Sequence, residues 1–162
     1  MLGNAVYRFF LNRKAQVSTT EYRWPETLFK NAVLDFEGEF IINCVGAIPQ
    51  KTNSSFSINF ELPIWLENKA KCNVIHAGTD CEMDEDEYGK SKLKGSKYIK
   101  QYGKKTKIIK TSIIGHEIKT SKSLLEWFLN SEKLVKGYTN AFWNGNTTLE
   151  WAKFSLQLIQ AW

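Results

Sequence analysis

Apolar runs that alternate with helix-like stretches limit most strongly what this chain can fold into. Phe40-Ile41-Ile42-Asn43-Cys44-Val45 is a continuous apolar run, the pattern of a strand buried on both faces of a parallel sheet. Val74 to Ala77 and Thr106 to Ile113 read as further strands, and Ala15 to Thr19 and Leu134 to Tyr138 as short ones. Helical stretches lie between them. Leu2 to Leu11 carries an apolar face of Val6, Phe9 and Phe10. Pro25 opens a short helix through about Ala32, and Ser54 to Ala70 is helical with Pro63 as an obstacle. Tyr88 to Tyr102 is closed by Gly103, and Ser121 to Leu129 starts from a Ser121 or Ser123 cap. The last helix, Thr147 to Ala161, takes Asn146 or Thr147 as cap and turns Leu149, Ala152, Phe154, Leu156 and Ile159 inward. Strand and helix in alternation predict an α/β chain: a mostly parallel sheet with helices on both faces. Ligands of such sheets bind beyond the carboxyl ends of the strands, where Gly46, Thr79 and Ser112 fall.

A length of 162 residues suits one domain, 1–162, and neither repeats nor a low-complexity linker divide it. No apolar run is long enough to span a membrane, and Arg8, Arg13 and Lys14 interrupt any leader-like start. Cys44, Cys72 and Cys81 are an odd number without metal-type spacing. They predict a reduced, cytoplasmic protein with no metal centre, and Cys44 reads as a small buried hydrophobe. The net charge of +5 comes mainly from the lysines between Lys90 and Lys110. An acidic run, Asp84 to Glu87, adjoins them. A solvated helix face explains this better than a nucleic-acid surface, and a basic rim also suits a phosphate-bearing small substrate.

Chemistry concentrates at Tyr88-Gly89-Lys90-Ser91-Lys92. Residues four apart share a helix face, so Tyr88 and Lys92 point the same way, on a stripe continued by Gly95, Ile99 and Tyr102. Gly95 in that stripe predicts close approach to a neighbouring backbone, and Lys90, Lys94 and Lys97 fall on the wet face. A tyrosine hydroxyl ordinarily titrates near pH 10, and a fixed ammonium beside it favours the phenolate. Thr79, at the end of the preceding strand, can donate to the same substrate oxygen. The set suits proton delivery to a carbonyl or proton removal from an alcohol. The bare spacing also describes a half-buried tyrosine beside a snorkelling lysine.

The segments INCVGAIPQ, VIHAGTDC, YGKSKLKG, IIKTSIIG and WNGNTTLEWAK together resemble the extended short-chain dehydrogenase/reductases. They are most similar to the dTDP-4-dehydrorhamnose reductases and related sugar-nucleotide-binding reductases, from Met1 to about Ile159. The resemblance implies a Rossmann-like fold and reduction of a nucleotide-linked keto-sugar by NADPH or NADH. It implies that Tyr88 is the acid/base, that Lys92 lowers its pKa and holds the nicotinamide ribose, and that Thr79 orients the carbonyl. It places cofactor contacts at Val45, Gly46 and Ala47, and substrate contacts at Asp80, Cys81, Trp143 and Asn144. For the Trp143–Thr148 stretch, a tight turn with a helix cap is an equal explanation. The family opens on a strand and a glycine-rich turn. Met1-Leu2-Gly3 resembles the tail of that motif, which implies cofactor contacts at Met1, Leu2 and Gly3, with the first strand missing and the usual small substrate domain vestigial. Lys110 stands where the family commonly has arginine. A homodimer is left open. So are a silent nucleotide-sugar-binding relative and an epimerase or dehydratase using the same Tyr-Lys pair.

Overall fold

The computed structural model describes residues 1–49, 55–118 and 120–162. Gln50 and Ser54, which belong to predicted segments, lie outside the described residues. In chain order the elements are α1 (Leu2–Leu11), α2 (Thr27–Leu34), β1 (Phe40–Asn43), α3 (Ile58–Lys69) and β2 (Asn73–Ala77). A 3-10 turn (Asp80–Met83) precedes α4 (Glu87–Tyr102), β3 (Thr106–Ile109), β4 (Ile113–Ile114), α5 (Leu124–Leu129), β5 (Asn146–Thr147) and α6 (Thr148–Gln160). Strands β1, β2 and β3 form a parallel sheet with β2 in the centre. The register sets Ile42 opposite Ile75 and His76 opposite Ile108.

The central strand explains the layers. Val74 and Ile75 are both fully buried, and successive strand residues face opposite sides. Val74 packs with Phe29 and Val33 of α2 and Leu62 and Leu66 of α3. Ile75 packs with Val6, Phe9 and Phe10 of α1 and with Trp151 and Ala152 of α6. The predicted Rossmann-like arrangement, a parallel sheet with helices on both faces, is therefore the one observed.

Pro63 lies inside α3 without ending it. A proline cannot donate to the carbonyl four residues back, so that of Asn59 is left without a helical partner. At this point α4 meets α3. A Cβ on Gly95 would stand 2.9 Å from the Asn59 carbonyl oxygen and 3.3 Å from Phe60 Cα. The close approach predicted for Gly95 is what the structure shows.

Several expectations need correction. Ala15 to Thr19 is not a strand: Ala15 and Val17 pack on the α1 cluster without pairing to a ladder. Leu134 to Tyr138 is not a strand either, and Leu134 and Tyr138 are almost wholly exposed, with no face to bury. The run Thr106 to Ile113 divides, and Ile113–Ile114 pairs instead with Asn146–Thr147, as β4 with β5. Between the halves, polar side chains tie the backbone elsewhere: Lys110 to Glu82, and Ser112 to Asp80. Helix α5 is shorter than expected and none of its side chains is buried. In α6, Ala152 is buried as predicted, but Leu149 and Phe154 are exposed while Trp151 and Ser155 are buried. The Ser155 hydroxyl satisfies itself on the Ala152 carbonyl at 2.7 Å, so a serine can hold the inner face. Tyr102 of α4, placed in the buried stripe by spacing, is 57% exposed.

Candidate functional site

The carboxyl ends of β1, β2 and β3 open into a cavity of about 1010 Å³. Thr79, Cys81, Tyr88 and Lys92 line it, and so do Val45, Gly46 and Ala47. Met1 and Leu2 at the start of α1 close one side, and Trp143 stands on another. Gly3, Asp80 and Asn144 do not line it. Gly3 packs beside Cys44, Asn144 is exposed, and Asp80 takes a structural part described below. The structure thus gathers the Thr-Tyr-Lys set and the predicted cofactor loop around one space.

Thr79 caps the 3-10 turn that follows β2. Its Oγ1 accepts from the Cys81 amide at 3.2 Å and donates to Asp80 Oδ1 at 3.3 Å. Asp80 also accepts from Ser112 Oγ at 2.6 Å, which links the turn to the segment after β3. Burial acts to raise the Asp80 carboxyl, but the hydrogen bonds from Ser112, Thr79 and backbone amides outweigh it and hold the group below its ordinary value.

Helix α4 begins at an Asp86 cap, whose Oδ1 accepts from the Gly89 amide at 2.6 Å. Gly89 is required there. A Cβ would collide with the Cys81 carbonyl and lie 2.7 Å from that of Asp84. A glycine thus lets the first turn of α4 sit on the Thr79 turn and brings Tyr88 beside it. Phe56 meets the Tyr88 ring edge to face, 5.9 Å between centroids.

The electrostatics depart from expectation. Burial pushes the Tyr88 phenol above its ordinary value; the Thr79 hydroxyl opposes this, while Cys81, Asp80 and Asp86 reinforce it. Tyr88 therefore remains a protonated donor at neutral pH, and the lowering expected from Lys92 is not found. Lys92 is 7% exposed and donates from Nζ to the Ala77 carbonyl at 3.2 Å. Burial brings its ammonium down to about 8, against an opposing pull from Glu82. Residues four apart do share a face, but Lys92 bends toward the strand end.

Sequence reasoning missed the groups that hold this arrangement. Asn59 is buried in α3, where its Oδ1 accepts from the Ala47 amide at 2.8 Å. Its Nδ2 donates to the Ala47 carbonyl at 3.1 Å and to Ser91 Oγ at 3.0 Å. Ser91 in turn donates to the Tyr88 carbonyl at 2.6 Å. One amide therefore ties the Val45–Ala47 loop to α4. Asn43 Oδ1 accepts from the Val45 amide, which turns its Nδ2 to His76 Nδ1 at 3.0 Å. Nδ1 is then the acceptor, and the neutral ring carries its proton on Nε2. Burial keeps that ring neutral, with a pKa lowered to about 3, and the Lys92 charge adds to the effect. Cys44 is likewise neutral, its thiol pushed up to about 12 by burial. The signal for Asn43 and Asn59 was a polar residue inside an otherwise apolar strand or helix.

Several groups on the cavity wall could hold a nucleotide cofactor. A Cβ on Gly46 would stand 3.0 Å from Asn59 Oδ1 and 3.1 Å from Lys92 Nζ, so the bare glycine is what lets these two side chains close on the loop. Lys92 Nζ has donors beyond the one on Ala77. The start of α1 has no side-chain cap and no acid in its first turn, which suits an anionic group. Trp143 rests its indole against Gly145 and leaves the ring 55% exposed beside the cavity. Among the described residues, no His, Cys, Asp or Glu cluster is placed to hold a metal ion, and no helix is long and apolar enough to cross a membrane.

No family model and no curated protein matches the chain. Among solved structures, it is similar to the capsular polysaccharide assembling protein CapF from Staphylococcus aureus, with a TM-score of 0.70 at 17% sequence identity. The match covers 99% of this chain and 47% of that one, so the chain spans about half the length of its structural neighbour and shares that half's fold.

Proposed function

We propose that the chain carries the cofactor cradle and proton donor of a nucleotide-sugar reductase of the short-chain dehydrogenase/reductase type. What carries the reading is that one cavity at the strand ends gathers Thr79, Tyr88 and Lys92 with the Val45–Ala47 loop. The nicotinamide cofactor, NADPH or NADH, supplies hydride when bound. Lys92 and the Val45–Ala47 backbone would hold its ribose side, and the start of α1 its phosphates. Tyr88, kept protonated by burial and acidic neighbours, donates its proton to the carbonyl oxygen. The Thr79 hydroxyl steadies that oxygen by turning its one proton from Asp80 Oδ1 to it. The structural neighbour is a capsular polysaccharide assembling protein, which suits a sugar substrate.

A second reading, a nucleotide-sugar-binding relative without turnover, is favoured by the placement of Lys92 on Ala77 and by the raised Tyr88. The two are separated by Tyr88→Phe. With nucleotide-linked 4-keto-sugars as substrates, the wild type oxidises NAD(P)H. The variant is expected to lose at least about a hundredfold in kcat, the low end for a general acid, with cofactor affinity nearly unchanged. Turnover retained by Tyr88→Phe contradicts the assigned role; no turnover by the wild type supports the second reading.

A further inference from the structure

We propose that Glu82 is a positioning residue of the Thr79–Tyr88–Lys92 site, fixing the turn that carries Thr79 and supplying the counter-charge for the Lys92 ammonium. The proposal rests on the reductase reading for its functional meaning, but its physical content stands apart from turnover.

Glu82 lies three residues after Thr79 in the 3-10 turn and is only 5% exposed. A buried carboxylate costs several kcal/mol of desolvation unless its oxygens are satisfied. Both are. Ser96 Oγ of α4 donates to Oε1, and Lys110 Nζ, just past β3, donates to Oε2 at 2.6 Å. One side chain thus pins the turn to two elements distant in sequence. Thr79, whose hydroxyl caps this turn, is fixed with it.

The Glu82–Lys110 pair is lopsided. The lysine end is 48% exposed and solvated, whereas the carboxylate faces inward. Water screens the outer charge far more than the inner one, so the pair presents net negative potential to its interior side. Ser96, which holds Oε1, stands four residues from Lys92 on the same buried face of α4, so Lys92 receives that field. Among the described residues, no carboxylate lies within ion-pair distance of it, and Glu82 is the charge that favours its protonated form. The other titratable groups around it are neutral at pH 7: Tyr88 on its own helix, His76 on β2 and Cys44 after β1. Charged groups also line the cavity from α3 (Glu61), the α4 cap (Asp86), the segment before α5 (Glu117, Lys122) and the amino end at Met1.

The test reads Lys92 directly. Protein labelled with nitrogen-15 at lysine Nζ is titrated by NMR, with the Lys92 signal assigned by its loss in Lys92→Met. Glu82→Gln keeps the shape and the Ser96 contact but removes the charge. The Lys92 midpoint is expected to fall by at least half a unit, about threefold in proton affinity. Ser96→Ala removes a hydrogen bond and no charge, and is expected to leave the midpoint in place. An unchanged midpoint in Glu82→Gln, or an equal shift in Ser96→Ala, overturns the proposal. Should Glu82→Gln not fold, the neutral pair Glu82→Gln with Lys110→Met is read by the same criterion. A shifted Lys92 in a protein that binds no NAD(P)H leaves the Glu82 proposal standing and removes the reductase reading instead.

Discussion

Lys92 is a buried cation that the fold would be more stable without. Its pKa of about 8 against an ordinary 10.5 means that the folded state binds fewer protons than the unfolded chain between those values. Stability therefore rises with pH through that window, and below pH 8 the buried charge costs roughly 3 kcal/mol. Lys92→Met is expected to raise the unfolding free energy at pH 7 by roughly 1–2 kcal/mol, less than the full cost because the Ala77 carbonyl loses its donor. The gain should shrink toward zero at pH 10, read from urea denaturation at both values. Destabilisation at pH 7 would show that Lys92 is a structural tie and not a retained functional charge. The Tyr88–Lys92 pair was legible because helical spacing is local. Its supports were not: Asn59 meets Ser91 across 32 positions, and Glu82 meets Lys110 across 28. No periodicity encodes such pairs, and a glutamate in an acidic run looks like surface until the fold buries it.

Helix α4 is the element on which the site depends, and two glycines set its position. Gly89 seats its first turn on the Thr79 turn, and Gly95 seats its middle on α3 at the carbonyl freed by Pro63. Gly95→Ala drives a methyl to 2.9 Å from backbone, where no flexible side chain can yield. It should destabilise the protein by roughly 1–3 kcal/mol despite alanine's better helix propensity, measured by thermal or urea unfolding. A stabilised variant would mean that α3 and α4 are not in contact there. The extent of α4 and the inward face of Gly95 could be read from the sequence, because the wet lysines mark the opposite side. The division of Thr106 to Ile113 into β3 and β4 could not. Ile113 and Ile114 are as strand-like as Ile108 and Ile109, and only the partners of Lys110 and Ser112 decide where the ladder stops. The face of α6 was misread for a related reason: Ser155 can be buried because it bonds its own helix.

At the scale of the whole molecule, two apolar clusters on opposite faces of β2 hold a parallel sheet whose strand ends all open on one cavity. That layout was legible from the alternation of elements, and the structural likeness to half of a longer protein agrees with it. The location of chemistry at the strand ends follows from the topology, since each crossover helix starts there and turns its first residues to the same space. On the proposed reading, this space receives NAD(P)H. Titration with NADPH and NADH, followed by the fluorescence of the six tryptophans, tests it most directly. A saturable change is predicted, weakened about tenfold by Lys92→Met, the loss of about 1.4 kcal/mol expected for one charge-assisted hydrogen bond. No saturable change with either cofactor up to millimolar concentration would contradict it.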